Sequence, residues 1–223
     1  MEQQEQIPLS MVRQSAYQLL QQLFTFPEDD LVKLLLKGSL LELVQTITQQ
    51  LQLEEEIVAE FIREVMEPLE SVSDSSAAVL ETLQIDYTRL FISAYPGAVV
   101  PPYARKHMTE GPGVQKEPEV FWQRAGVALT PQWRELPDHV AAEFGFMAWL
   151  IKRNATHEQA MDHQKELKQE YDSIEREFLQ QHLSQWLPGF LRLVEQEAGT
   201  PFYRIMAKFA GAYIEYEISY FKQ

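Results

Sequence analysis

One segment limits the choices for this chain more than any other. Residues 139–152 read HVAAEFGFMAWLIK, helical in length and apolar almost all round. A helix without a polar face must be enclosed by other elements. The rest of the chain supplies them. Ala16, Tyr17, Leu20, Leu23 and Phe24 recur at spacings of three and four, so a helix follows Ser10, its candidate cap, and runs to about Thr25. Pro27 stops it, and DDLVKLLL begins another helix. Two more cover 40–51 and 54–69. The polar run 71–76 can cap a helix reaching about Ser93, with Leu80, Leu83, Tyr87, Leu90 and Phe91 on its core face.

Residues 95–117 break the pattern with Pro96, Gly97, Pro101, Pro102, Gly111, Pro112 and Gly113. Neither helix nor strand persists through such a density of breakers. Connections this long are usually functional or disordered. Tyr95 and Tyr103 argue that this one packs on something or binds something. Helices resume at Pro118, with Phe121 and Trp122 inward and an end near Gly126. Thr130-Pro131 and Thr200-Pro201 each read as a cap followed by proline at the first helical position. Residues 157–187 form an amphipathic helix that Pro188 breaks or kinks. The last stripe is Phe202, Ile205, Met206, Phe209, Tyr213, Tyr216 and Tyr220. The expectation is an all-α fold of about ten helices. Residues 1–94 and 118–223 form two helical parts, joined by the irregular connection 95–117.

Composition removes whole classes of function. There is no cysteine, which excludes disulfides, thiolate metal sites and cysteine nucleophiles. A net charge of −14 repels nucleic acid and anionic lipid, and attracts a basic partner. The polar, acidic start resembles no secretion signal, and no run of about 18 apolar residues suggests a membrane span. We expect a chain that stays in the cytoplasm, with no nucleic acid, no stable membrane insertion and no bound cofactor.

Few side chains suggest chemistry. There is no phosphate loop, zinc helix motif or nucleophile elbow. His157 and His163 lie among surface charges, and His182 lies beside a core stripe. His139 and Glu143 share a helix face, yet two ligands do not make a metal site. Glu143, a charge on a buried helix, requires a partner: a backbone amide, an arginine or a tyrosine hydroxyl. In ELPDH, residues 135–139, Pro137 disfavours helix at Leu136 and Asp138 is placed to cap the helix that follows. Asp138 and His139 also form an acid–imidazole pair that could act as a general base.

Three blocks carry a resemblance to a known family. They are DYTRLF (86–91) followed by PG (96–97) and PPY (101–103), ELPDHVAAEFGFM (135–147), and FLQQHLSQWLPGF (178–190). Together they resemble the TorD/DmsD family of redox-enzyme maturation chaperones. The resemblance implies an all-α fold in two helical parts with a hinge, and no catalysis. It implies a partner: the catalytic subunit of a molybdenum-cofactor oxidoreductase and its twin-arginine signal peptide, held before cofactor loading and export. Some relatives serve enzymes that are not exported. By motif, the peptide-facing positions would be Tyr87, Leu90, Phe91, Tyr95, Tyr103, Pro137, Asp138 and His139. From pattern alone, Leu90 and Phe91 at helical spacing read as ordinary core ahead of peptide contacts. Many members have Glu-Ser where this chain has Ala104-Arg105. The connection is long enough for two copies to exchange halves as a swapped homodimer. A small enzyme or nucleotide-binding protein working through Asp138 and His139 is the alternative from another class.

Overall fold

The structure, a computed structural model, describes residues 7–71, 75–92, 97–109, 117–128, 130, 133–157 and 162–222. Helices account for nearly all of its regular structure. Among the described residues the β-structure is limited to one antiparallel bridge, Tyr103 to His139.

The first helix, α1 (Leu9–Leu23), starts two residues earlier than its sequence suggests. Ser10 lies inside it. The carbonyl of Pro8 accepts from Met11 N and Val12 N, so the turn closes without a side-chain cap. Pro27 separates it from α2 (Asp29–Leu36), and α3 (Ser39–Leu51) follows Gly38. Gly38 has φ +77°, a left-handed turn conformation that glycine adopts without strain. The expected single helix over 54–69 is α4 (Glu56–Phe61), a π-turn at Ile62–Met66 and α5 (Glu67–Ser71). Next come α6 (Ser76–Tyr87) and a second π-turn, Thr88–Ile92. The Ser75 hydroxyl caps α6 by accepting from Ala78 N at 3.3 Å.

The short α7 (Glu119–Arg124) leads to α8 (Val140–His157), the segment apolar on nearly all sides. Val140, Ala141, Phe144, Met147, Leu150 and Ile151 are buried. Helix α1 packs along one side of α8 and α9 (Asp162–Phe178) along another. The break expected at Pro188 lies upstream, in a third π-turn at Leu179–Leu183; α10 (Ser184–Glu197) then runs through Pro188. The last helix, α11 (Pro201–Tyr220), opens as its sequence implies. Thr200 caps it, accepting from Tyr203 N, and Pro201 takes the first position.

One core draws on both helical parts, from Val12 and Tyr17 through Phe91 and Phe144 to Phe190 and Tyr213. A charged staple runs through it. Arg13 of α1 donates to both oxygens of Glu217 on α11 (2.7 and 2.6 Å) and to Glu175 on α9 (2.6 Å). Asn154 of α8 completes it by donating to Glu175 at 2.6 Å. Among the described residues no helix is long and apolar enough to cross a membrane. The Thr130-Pro131 helix start and the side chains of His157 and His163 lie outside the described residues.

Candidate functional site

The breaker-rich connection packs closely where it is described. Val100 N donates to Leu90 O at 2.8 Å, which ties the strap at 97–109 to the second π-turn. Further on it meets the start of α8 in antiparallel register. Ala104 N donates to Asp138 O at 3.0 Å and Val140 N to Pro102 O at 2.9 Å. The His107 ring then stacks on Trp186 of α10 (5.7 Å, 20°) and meets Phe190 edge-on. Val100, Ala104 and Met108 are buried beneath it. The strap thus touches all three blocks singled out in the sequence, although they lie far apart along the chain.

Asp138 occupies the centre of this junction, 2% exposed. It does not cap its own helix. Its carboxylate faces the strap and accepts from Arg105 N (3.1 Å), Nε (2.6 Å) and Nη2 (2.6 Å). This is a side-on guanidinium–carboxylate pair, reinforced by one backbone amide. The capping role passes to His139, whose Nδ1 accepts from Ala141 N at 3.2 Å. With Nδ1 accepting, a neutral ring carries its proton on Nε2. Burial lowers the His139 pKa to about 4, against the pull of Glu135 and Asp138. The ring lies edge-on between Tyr103 (5.3 Å) and Trp133 (6.2 Å). At the rim, the Tyr103 hydroxyl donates to Glu135 at 2.8 Å, Leu136 is exposed, and Pro137 is half-buried.

Tyr87, Leu90 and Phe91 point inward, each no more than 4% exposed. The Tyr87 hydroxyl donates to Phe24 O at 2.9 Å, and its ring packs against Phe26 and Phe91. Tyr95 lies outside the described residues. The structure therefore gathers Tyr103, Pro137, Asp138 and His139 at one surface junction and seats Tyr87, Leu90 and Phe91 in the core beneath the strap.

Several contacts here escaped the sequence. Glu143 accepts from His182 Nε2 at 2.7 Å and from the Trp186 indole N–H at 3.2 Å. A partner was expected, but not this one. Burial raises the Glu143 pKa to about 7, with His182 pulling the other way. Asp86 accepts from Gly199 N, Thr200 N and Thr200 Oγ1 (2.8–3.1 Å) and also pairs with Arg89, so the first block secures the start of α11. Both acids are buried charges within apolar surroundings, a type of position that announces an unseen partner. Arg105 gave no such sign. Among the described residues no cluster of His, Cys, Asp and Glu could hold a metal ion. The geometry suits holding a cation or a peptide, and among the described residues no hydroxyl is hydrogen-bonded to Asp138 or His139.

Residues 40–192 match the family described as nitrate reductase delta subunit, a range that contains all three blocks and the whole strap. The chlorate reductase assembly chaperone protein of Ideonella dechloratans is 31% identical over 124 residues, covering 52% of this chain and 58% of that protein. The selenate reductase assembly chaperone protein of Thauera selenatis is 30% identical, with the same coverage. The chaperone protein TorD of Vibrio cholerae is 29% identical over 159 residues, covering 69% of this chain and 68% of that protein. The match therefore spans little more than half the length of the first two relatives. All three are named as chaperones rather than enzymes. The chain belongs to the nitrate reductase delta subunit family, of TorD/DmsD type.

Proposed function

We propose that this protein is a cytoplasmic chaperone that binds the twin-arginine signal peptide of a molybdenum-cofactor oxidoreductase and holds the enzyme until its cofactor is loaded. One observation carries the reading. A sealed carboxylate, Asp138, lies at an accessible junction of the three family blocks and is already shaped around a guanidinium group. Arginine pairs with carboxylate side-on in a way lysine cannot. Tyr103, Glu135, Leu136 and Pro137 form the rim, where an aromatic face, a second carboxylate and apolar surface meet. These are the groups a peptide with two arginines followed by apolar residues would use. Tyr87, Leu90 and Phe91 reach such a peptide only if the strap lifts, and that movement would be the hinge. The net charge of −14 speeds encounter with a basic leader and makes it sensitive to salt.

Titration calorimetry with a twin-arginine leader peptide tests this. Saturable binding that drops at least tenfold when both arginines become lysines is the expected result. Equal affinity for the two peptides refutes guanidinium recognition. A second reading takes the client to be a reductase subunit without a leader. The match to a family described as nitrate reductase delta subunit favours it. Capture of the catalytic subunit with its leader deleted would support that reading over the first.

A further inference from the structure

Arg105 holds the position that a peptide arginine would need. We infer that Arg105 is an internal placeholder, a guanidinium of the chain's own that fills the Asp138 site at rest and is displaced by a partner's arginine. The inference rests on the proposed function for its partner, but not for the site itself.

The two halves of the pair differ in exposure. The Asp138 side chain is 2% exposed and the Arg105 side chain 52%. Arg105 can swing into water and regain its solvation. Asp138 is fixed at the base of the junction, and without Arg105 its carboxylate loses its charge partner. The site therefore requires a cation, while its present occupant is free to leave. Among the described residues no second cation pairs with Asp138.

The strap does not need the guanidinium to stay docked. Ala104 N to Asp138 O, Val140 N to Pro102 O and Arg105 N to Asp138 Oδ2 are backbone donors that remain when the side chain departs. Ala104 remains buried beneath. A vacated site would thus keep its shape, with one amide already directed at the carboxylate. The neighbouring Glu135 carboxylate, exposed and bonded to Tyr103, offers a second guanidinium a place three residues away. The ligand class is a peptide carrying adjacent arginines.

An internal competitor also sets a threshold. A tethered group acts at a high effective concentration, so a lone surface arginine on an unrelated protein does not displace it. A partner that adds a second arginine and an apolar segment can do so.

The test replaces Arg105. In Arg105→Ala, Tm falls by about 5–10 °C, because the Asp138 carboxylate is left without its guanidinium. Millimolar ethylguanidine restores several degrees of that loss, ethylammonium restores less, and neither raises the Tm of the natural chain. The same variant binds a twin-arginine peptide about tenfold more tightly than the natural chain. Absence of selective rescue by ethylguanidine overturns the inference, as does unchanged or weaker peptide affinity in the variant. If Arg105→Ala does not fold, Arg105→Lys keeps the charge but lacks the side-on pair. It should bind the peptide more tightly than the natural chain, and equal or weaker binding overturns the inference. Guanidine rescue without peptide binding by any chain would uphold the guanidinium site and refute the proposed peptide instead.

Discussion

Two arginines in this protein make the same bond in opposite settings. Arg13 and Arg105 each present the edge of a guanidinium to a carboxylate, at 2.6–2.7 Å. Arg13 is 7% exposed at its side chain, shared between Glu175 and Glu217, and lies 4.7 Å from the Tyr220 ring centroid. It joins α1, α9 and α11 in the interior, held by two acids rather than one. Arg105 is half exposed, on a strap, over one sealed acid. The chemistry is shared, and exposure of the cation decides what it does. A buried pair fastens helices together, whereas a pair with one partner in water can be exchanged.

The comparison is sharpest where the largest effect is expected. Arg13→Met leaves Glu175 and Glu217 buried without their cation and should destabilise the fold by about 3–5 kcal/mol, read from urea denaturation. Ethylguanidine should restore little of it, because both acids are buried among the helices they join. Restoration would erase the distinction from Arg105. Glu143→Ala comes next. It takes the acceptor from the Trp186 indole and a partner from His182, at about 2–3 kcal/mol.

The acid dependence of stability probes the neutral His139 beside the exchangeable pair. Its folded pKa, about 4, lies below the ordinary 6.5. The unfolded chain therefore takes up the proton first as pH falls. The stability that His139 contributes is complete above pH 6.5 and is lost between 6.5 and about 4, on the order of 3 kcal/mol in all. Glu143 acts in the opposite direction. With a folded pKa near 7 against 4.5 unfolded, it loses stability as pH rises from 4.5 to 7. His139→Gln should remove the His139 contribution, so the variant gains less stability than the natural chain between pH 4 and 6.5. Parallel profiles by thermal denaturation would place a protonated ring at that position. The smallest effect is at the rim. Tyr103→Phe deletes one exposed bond to Glu135 and should cost less than about 1 kcal/mol of stability, while weakening peptide binding a few-fold in calorimetry.

How much of this was legible in the residues depends on whether the cause is local. The helices, the burial of α8, the turn at Gly126 and the cap at Thr200-Pro201 follow from spacing and backbone chemistry within a few positions. The π-turns do not, because one extra residue per turn hardly disturbs an apolar stripe; the helices read over 54–69 and 157–187 are interrupted by them. Two of the three π-turns fall within the family blocks, and such turns gather at functional sites. Arg13 left a trace, since it lies on the same face as Ala16, Tyr17 and Leu20. Asp138 was expected to cap its own helix and instead meets a residue 33 positions away. No periodicity in the sequence could reveal that pairing. All three family blocks converge on one junction, but motif positions alone did not separate the inward Tyr87, Leu90 and Phe91 from the rim residues.

The most direct measurement is binding of a twin-arginine signal peptide to Asp138→Asn beside the natural chain, by titration calorimetry, with circular dichroism to confirm that the variant is folded. Losing a charge-assisted pair should weaken binding by roughly ten- to a hundredfold while the helical spectrum persists. Unchanged affinity in a folded variant would contradict the account, because the peptide's arginines would then not be read by the carboxylate that now holds Arg105.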